Sequence, residues 1–162
     1  MLDLTEIEKL QVKLDNDIHY RHGKTYMSTF IQRKLALVVE LSELANEVRC
    51  FKFWSVKPAS EEKVVLEEFV DCLHFTISLG IGIGYNFDEF LFDFNKTNDI
   101  NLLFLDIVNY VVNLLDNDFI LYGKILNSLL LIACTLEFSD EQILNAYYEK
   151  NNINHKRQKN SY

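Results

Sequence analysis

The sequence predicts an all-α, single-domain bundle of about five to six helices. Three observations carry this. Five glycines and one proline among 162 residues leave out the turn-rich spacing of a sandwich or barrel. Apolar residues recur every three or four positions along most of the chain, the period of a helix with one buried face. A 49% hydrophobic content is enough to bury a core and excludes disorder as the main state. No repeat, low-complexity tract or Pro/Gly/Ser-rich linker divides the chain, so one domain spans residues 1–162.

Leu4, Ile7, Leu10, Leu14 and Ile18 mark a first amphipathic helix to about Tyr20, followed by a polar connection containing Gly23. Ser28 or Thr29 can cap a second helix to about Cys50, with Leu37, Leu41, Leu44 and Val48 on one stripe and Pro58 as a stop. Ser60, followed by two acids, is placed to cap a third helix running to Gly80. That helix is apolar nearly all round, which puts it in the middle of the bundle, with Phe75 in the core. Gly80-Ile-Gly-Ile-Gly84 follows a helix rather than a strand, so it reads as a cap and turn instead of a nucleotide loop. Asp99–Asp116 and Phe119–Leu136 are two further apolar helices. Ser139-Asp-Glu-Gln142 is a capping box opening a last helix to about Asn151.

Charge and cysteines narrow the function classes. A formal net charge of −8 argues against a partner held by nucleic-acid phosphates. Cys50, Cys72 and Cys134 lack CxxC spacing and sit in apolar runs, so they read as reduced core thiols. The longest uncharged run, Cys72–Phe87, is too short to span a bilayer, and the N-terminus has no signal-peptide pattern. A cytoplasmic protein with no membrane and no nucleic-acid partner is expected. Against this acidity, Lys150, Lys156, Arg157 and Lys159 face the one acid Glu149 in the segment from Tyr148.

Two acid pairs stand out: Glu40-x-x-Glu43 and Glu68-x-x-Asp71. On a helix, i and i+3 share a face. Either pair alone is most often a solvated surface, but the second lies in an otherwise apolar helix. Four carboxylates can then converge between two antiparallel helices. Held together away from water they repel, and oxygen-only ligation suits Mg²⁺ or Mn²⁺. A di-iron site would need two Glu-x-x-His pairs, and only Asp71-x-x-His74 approaches one. His74 alone reads as a hydrogen-bonded core or pocket residue.

Val39-Glu-Leu-Ser-Glu-Leu-Ala-Asn-Glu47, Phe51-Lys-Phe-Trp54, Glu67-Glu-Phe-Val-Asp-Cys-Leu-His-Phe75 with Ser78-Leu-Gly-Ile81, and the segment Tyr148–Gln158 together resemble the dimeric, all-α dUTPases, within the wider MazG-like all-α NTP pyrophosphohydrolases. Leu10-Gln11 and Leu14-Asp15 resemble that family's first motif. The resemblance touches both ends and the middle of the chain, leaving about 88–140 without a signature. It implies dUTP or dUDP as the small-molecule substrate, with dUTP hydrolysed to dUMP and pyrophosphate, and Glu40, Glu43, Glu68 and Asp71 binding two or more Mg²⁺ ions, for which Mn²⁺ can substitute. Glu40 or Glu43 then orients or deprotonates the attacking water. It further implies a homodimer and a basic closing tail, residues 148–162, in which Lys150, Arg157 and Lys159 meet the phosphates and Asn151 and Asn154 meet sugar or phosphate oxygens. Gln11, Asn46, Trp54 and His74 complete the substrate set, with Trp54 at the mouth or in the core and Phe53 in the core. The family's glycine before a final Tyr is missing from Lys159-Asn-Ser-Tyr162. The alternatives are a related pyrophosphatase with another base preference, such as dCTP, and a non-catalytic helical interaction or regulatory protein.

Overall fold

The computed structural model describes residues 2–94 and 99–160. Among these the chain forms six α-helices and no strand: α1 Leu4–His22, α2 Phe30–Val48, α3 Glu62–Ile83, α4 Ile100–Asn113, α5 Phe119–Thr135 and α6 Asp140–Lys159. The all-α bundle read from the periodicity is what forms. The departure at Ser161 and Tyr162 from the expected closing sequence lies outside the described residues.

The capping box at Ser139 forms as its sequence dictates: the Ser139 hydroxyl accepts from the Gln142 N–H, and the Gln142 side chain accepts from the Ser139 N–H at 2.9 Å. Two other starts differ. Thr29 precedes α2, but its hydroxyl donates to the Thr25 carbonyl at 2.8 Å instead of capping. Ser60 does not cap α3. Its hydroxyl donates to Glu47 and its N–H to the Glu47 carbonyl, so it ties the end of α2 to the approach of α3, and Glu61 takes the cap position.

α3 also passes the expected stop at Gly80. Gly84, at φ 77°, closes the helix through bonds to the Gly80 and Ile81 carbonyls. Gly80 has a packing role. A Cβ there would lie 2.3 Å from the Tyr122 hydroxyl oxygen and 2.7 Å from Phe87 Cζ, so the missing side chain is the space the fully buried Tyr122 fills. The Tyr122 hydroxyl then donates to the Thr76 carbonyl at 2.9 Å.

The central placement of α3 holds: it packs on α1, α2, α5 and α6, and Phe69, Val70, Leu73 and Ile77 are fully buried. Pairings fix the directions. Arg33 meets Ser78 while Glu47 meets Ser60, so α2 runs antiparallel to α3. Gln11 meets His74 while Asp15 meets Ser78, so α1 runs parallel to it. Gln142 meets Glu62 while Lys150 meets Asp71, which makes α6 parallel as well.

Three expectations are corrected by burial. Only Cys72 of the three free thiols is a core residue; Cys50 is half-buried and Cys134 is exposed. Phe53 is not core but 92% exposed, on the segment between α2 and α3, edge-on to Trp54. α6 does not end near Asn151; it continues to Lys159. That extension packs on α1 through the Asn151 bond to the Leu10 carbonyl and the Gln158 contact with His22, partners that offset the modest helix propensity of the Asn-rich stretch.

Candidate functional site

Four helices wall a cavity of about 380 Å³. α1 contributes Gln11 and Asp15, α2 Arg33 and Glu40, α3 Asp71, His74 and Ser78, and α6 Lys150, Asn154 and Arg157. Each set follows the helical repeat. Asp71, His74 and Ser78 are spaced three and four, as are Lys150, Asn154 and Arg157 in reverse order, so each helix turns one face inward. Continuation of α6 is what brings Asn154 and Arg157 to the cavity.

At one edge, oxygens of Glu40, Glu68 and Asp71 lie within 4.8 Å of one another. The cluster shows the strain expected of gathered acids. Burial, then the charges of Asp71, Glu43 and Glu68, push the Glu40 carboxyl up to about 7. Burial also raises Glu68 and Asp71, in spite of Lys150 beside them. Three carboxylates of raised proton affinity form an oxygen-only donor set whose repulsion a hard divalent cation would relieve, so the residues fit Mg²⁺ or Mn²⁺.

Glu43, the fourth acid of the two pairs, is exposed and stands outside this trio. It lines a shallow groove with Asn46, Glu47 and Glu68, and Asn46 accepts a bond there from Lys52.

The cavity floor is a connected polar network. Gln11 donates to Asp15 at 2.9 Å, Ser78 donates to the other Asp15 oxygen at 2.7 Å, and Arg33 donates to Ser78 at 2.8 Å. The Gln11 carbonyl oxygen accepts from the Tyr147 hydroxyl at 2.5 Å and lies 2.7 Å from His74 Nδ1. That acceptor assigns the ring proton to Nδ1. His74 Nε2 then carries a lone pair, is buried, and has no hydrogen-bond partner among the described residues. Burial, then the nearby Lys150, push the imidazole down to about 3, so it is neutral. A ligand N–H or O–H would satisfy the orphaned acceptor.

Of the residues the sequence singled out, the fold gathers Gln11, Glu40, Asp71, His74, Lys150, Asn154 and Arg157 around the cavity, with Glu68 at its acidic edge. Five stand elsewhere: Glu43 and Asn46 line the separate groove, Trp54 is exposed between α2 and α3, Asn151 is buried against α1, and Lys159 is exposed at the end of α6. Arg33 was missed, and Asp15 and Ser78 were marked only by resemblance. The helical repeat carried the signal: Arg33 is two turns before Glu40, Asp15 one turn after Gln11, and Ser78 one turn after His74.

Fold and site together define an all-α protein whose clustered carboxylates open on a cavity with a polar floor, beside the basic side chains of Lys150 and Arg157. Comparison with family models makes this specific: the dUTPase model matches residues 3–162, and the chain belongs to the all-α dUTPase family. No curated protein matches the chain.

Proposed function

We propose that the protein hydrolyses dUTP to dUMP and pyrophosphate in a Mg²⁺-dependent reaction, limiting uracil entry into DNA. The observation that carries this is the convergence of Glu40, Glu68 and Asp71 at the mouth of a cavity with Lys150 and Arg157 beside it, in a chain matched by the family over almost its whole length. Glu40, Glu68 and Asp71 would hold the first ion, with Glu43 adding a donor on the outer side. Bound there, Mg²⁺ supplies charge neutralisation for the triphosphate, polarisation at phosphorus and a water of lowered pKa.

The chain's own groups supply the rest. In this reading Glu40 or Glu43 takes a proton from the attacking water. Lys150, Arg157 and Asn154 present donors to phosphate oxygens, and residues 148–162 act as the substrate-closing segment, in helical form over most of their length. His74 Nε2 would offer an acceptor to the nucleoside, and the Gln11 amide, whose nitrogen donates to Asp15, would offer its second hydrogen as a donor. Trp54, Asn46, Asn151 and Lys159 have roles in this reading only if the 51–57 segment or a second subunit completes the site.

A homodimer belongs to the same proposal. Ile31, Leu35 and Val39 form an exposed apolar stripe on α2, and Leu102, Leu105 and Val112 another on α4. Lys34 ties the two helices by donating to the Val112 and Leu114 carbonyls. Adjacent exposed apolar stripes of this kind support the reading that a partner covers this surface. Among the described residues no single helix is long and apolar enough to cross a membrane.

Pyrophosphate release across dUTP, dCTP, dTTP and dATP tests the reading. Turnover of dUTP well above the others is expected, and Asp71→Asn is expected to reduce it about 10²–10³-fold with helicity retained. Equal rates on all four would restrict the claim to a general nucleotide pyrophosphatase.

A further inference from the structure

The Lys150 ammonium lies 2.5 Å from Asp71 Oδ2 and 3.4 Å from Glu67 Oε1. Its side chain is 13% exposed and that of Asp71 16%, whereas Glu67 is 55% exposed, so the tight partner is the inner one. Asp71 is also one of the three acids whose oxygens converge. A carboxylate oxygen accepting from an ammonium at this distance is screened from a divalent cation, and two cations in so small a volume repel strongly.

We infer that Lys150 is the resident counter-ion of the acidic cluster: it occupies Asp71 when no divalent cation is bound and leaves Asp71 when one arrives. The inference rests on the metal and triphosphate reading above. The released ammonium has a destination. Lys150 lines the same cavity as Asn154 and Arg157, which lie one and two turns further along α6, and its four-carbon stem allows the head to pivot from the acids toward an anion there. An anionic ligand that draws Lys150 away frees Asp71 for the cation, and by linkage the cation frees Lys150 for the anion. The one lysine thereby couples the two binding events without any change in backbone.

Mn²⁺ binding to the full chain, followed by the electron paramagnetic resonance of the free ion, tests this in wild type and Lys150→Met, each with and without a non-hydrolysable dUTP analogue. Without nucleotide, Lys150→Met is expected to bind Mn²⁺ about three- to tenfold more tightly, the scale of removing a competing ion pair. The analogue is expected to tighten Mn²⁺ binding in wild type more than in the variant. Equal or weaker Mn²⁺ binding by Lys150→Met overturns the inference and leaves the metal site standing; no Mn²⁺ binding in either protein overturns both. The wild type alone gives a second readout. The ¹⁵N signal of the Lys150 ammonium, protected from exchange by Asp71, is expected to lose that protection at saturating Mg²⁺, and an unchanged signal overturns the inference.

Discussion

Glu40 illustrates what it costs to assemble acids before their counter-ion arrives. Its carboxyl is pushed up to about 7 by burial and by three neighbouring acids, while in the unfolded chain it returns to an ordinary value near 4.5. The folded state therefore binds the proton more tightly. This contribution to stability is fully present below about 4.5 and is lost as the pH rises through about 7. Glu68 and Asp71, also raised, act in the same direction. In metal-free buffer, Glu40→Gln is expected to gain stability relative to wild type on going from pH 5 to pH 8, measured by urea midpoints; a gap independent of pH would remove the cluster's repulsion from the account. The acid pairs were legible in the sequence because i and i+3 share a face whatever the tertiary structure. Which acids converge was not legible. Three residues turn a helix through about 300°, so Glu40 and Glu43 point some 60° apart, and the rotation of α2 against α3 selects Glu40. Arg33 escaped notice for a related reason: its role is defined by Ser78, and through it by Asp15, which lie on two other helices.

Helix ends depended on contacts that local sequence does not contain. Ser139 capped as expected because its partner Gln142 is three residues away. Ser60 did not, because Glu47, thirteen residues earlier, offers its hydroxyl a carboxylate. Gly80 looked like a stop and is instead an interior position emptied for Tyr122. In an open helix Gly→Ala would gain about 1 kcal/mol. Here the added Cβ meets a buried ring on one side and Phe87 on the other, so Gly80→Ala is expected to lose about 1–3 kcal/mol by urea denaturation. A stabilised variant would show that Tyr122 has room to withdraw. The extension of α6 past Asn151 is the element-level difference with the largest functional consequence, since Asn154 and Arg157 reach the cavity from its last turns. Its cause is packing on α1, which residue propensity alone does not reveal.

Across the whole molecule the net charge of −8 is distributed so that the acids of α2 and α3 meet at one edge of the cavity while Lys150 and Arg157 of α6 line it. That arrangement suits a small polyphosphate carried with a cation better than a long polyanion. The apolar stripes of α2 and α4 make a separate whole-molecule claim. Leu35→Asp is expected to sediment as a monomer at concentrations where wild type is a dimer, and a monomeric wild type would leave those stripes without a dimer to explain them. Composition and periodicity made the bundle legible. The buried polar floor was less so, because its members are scattered over α1, α2, α3 and α6 and only folding brings them into bonding distance. If the acids of α2 and α3 serve Mg²⁺-dependent cleavage of dUTP, as proposed, a ³¹P NMR time course with dUTP reads it out. Conversion to dUMP and pyrophosphate with Mg²⁺ and none in excess EDTA is the predicted result; unchanged dUTP in Mg²⁺, or equal conversion in EDTA, would contradict it.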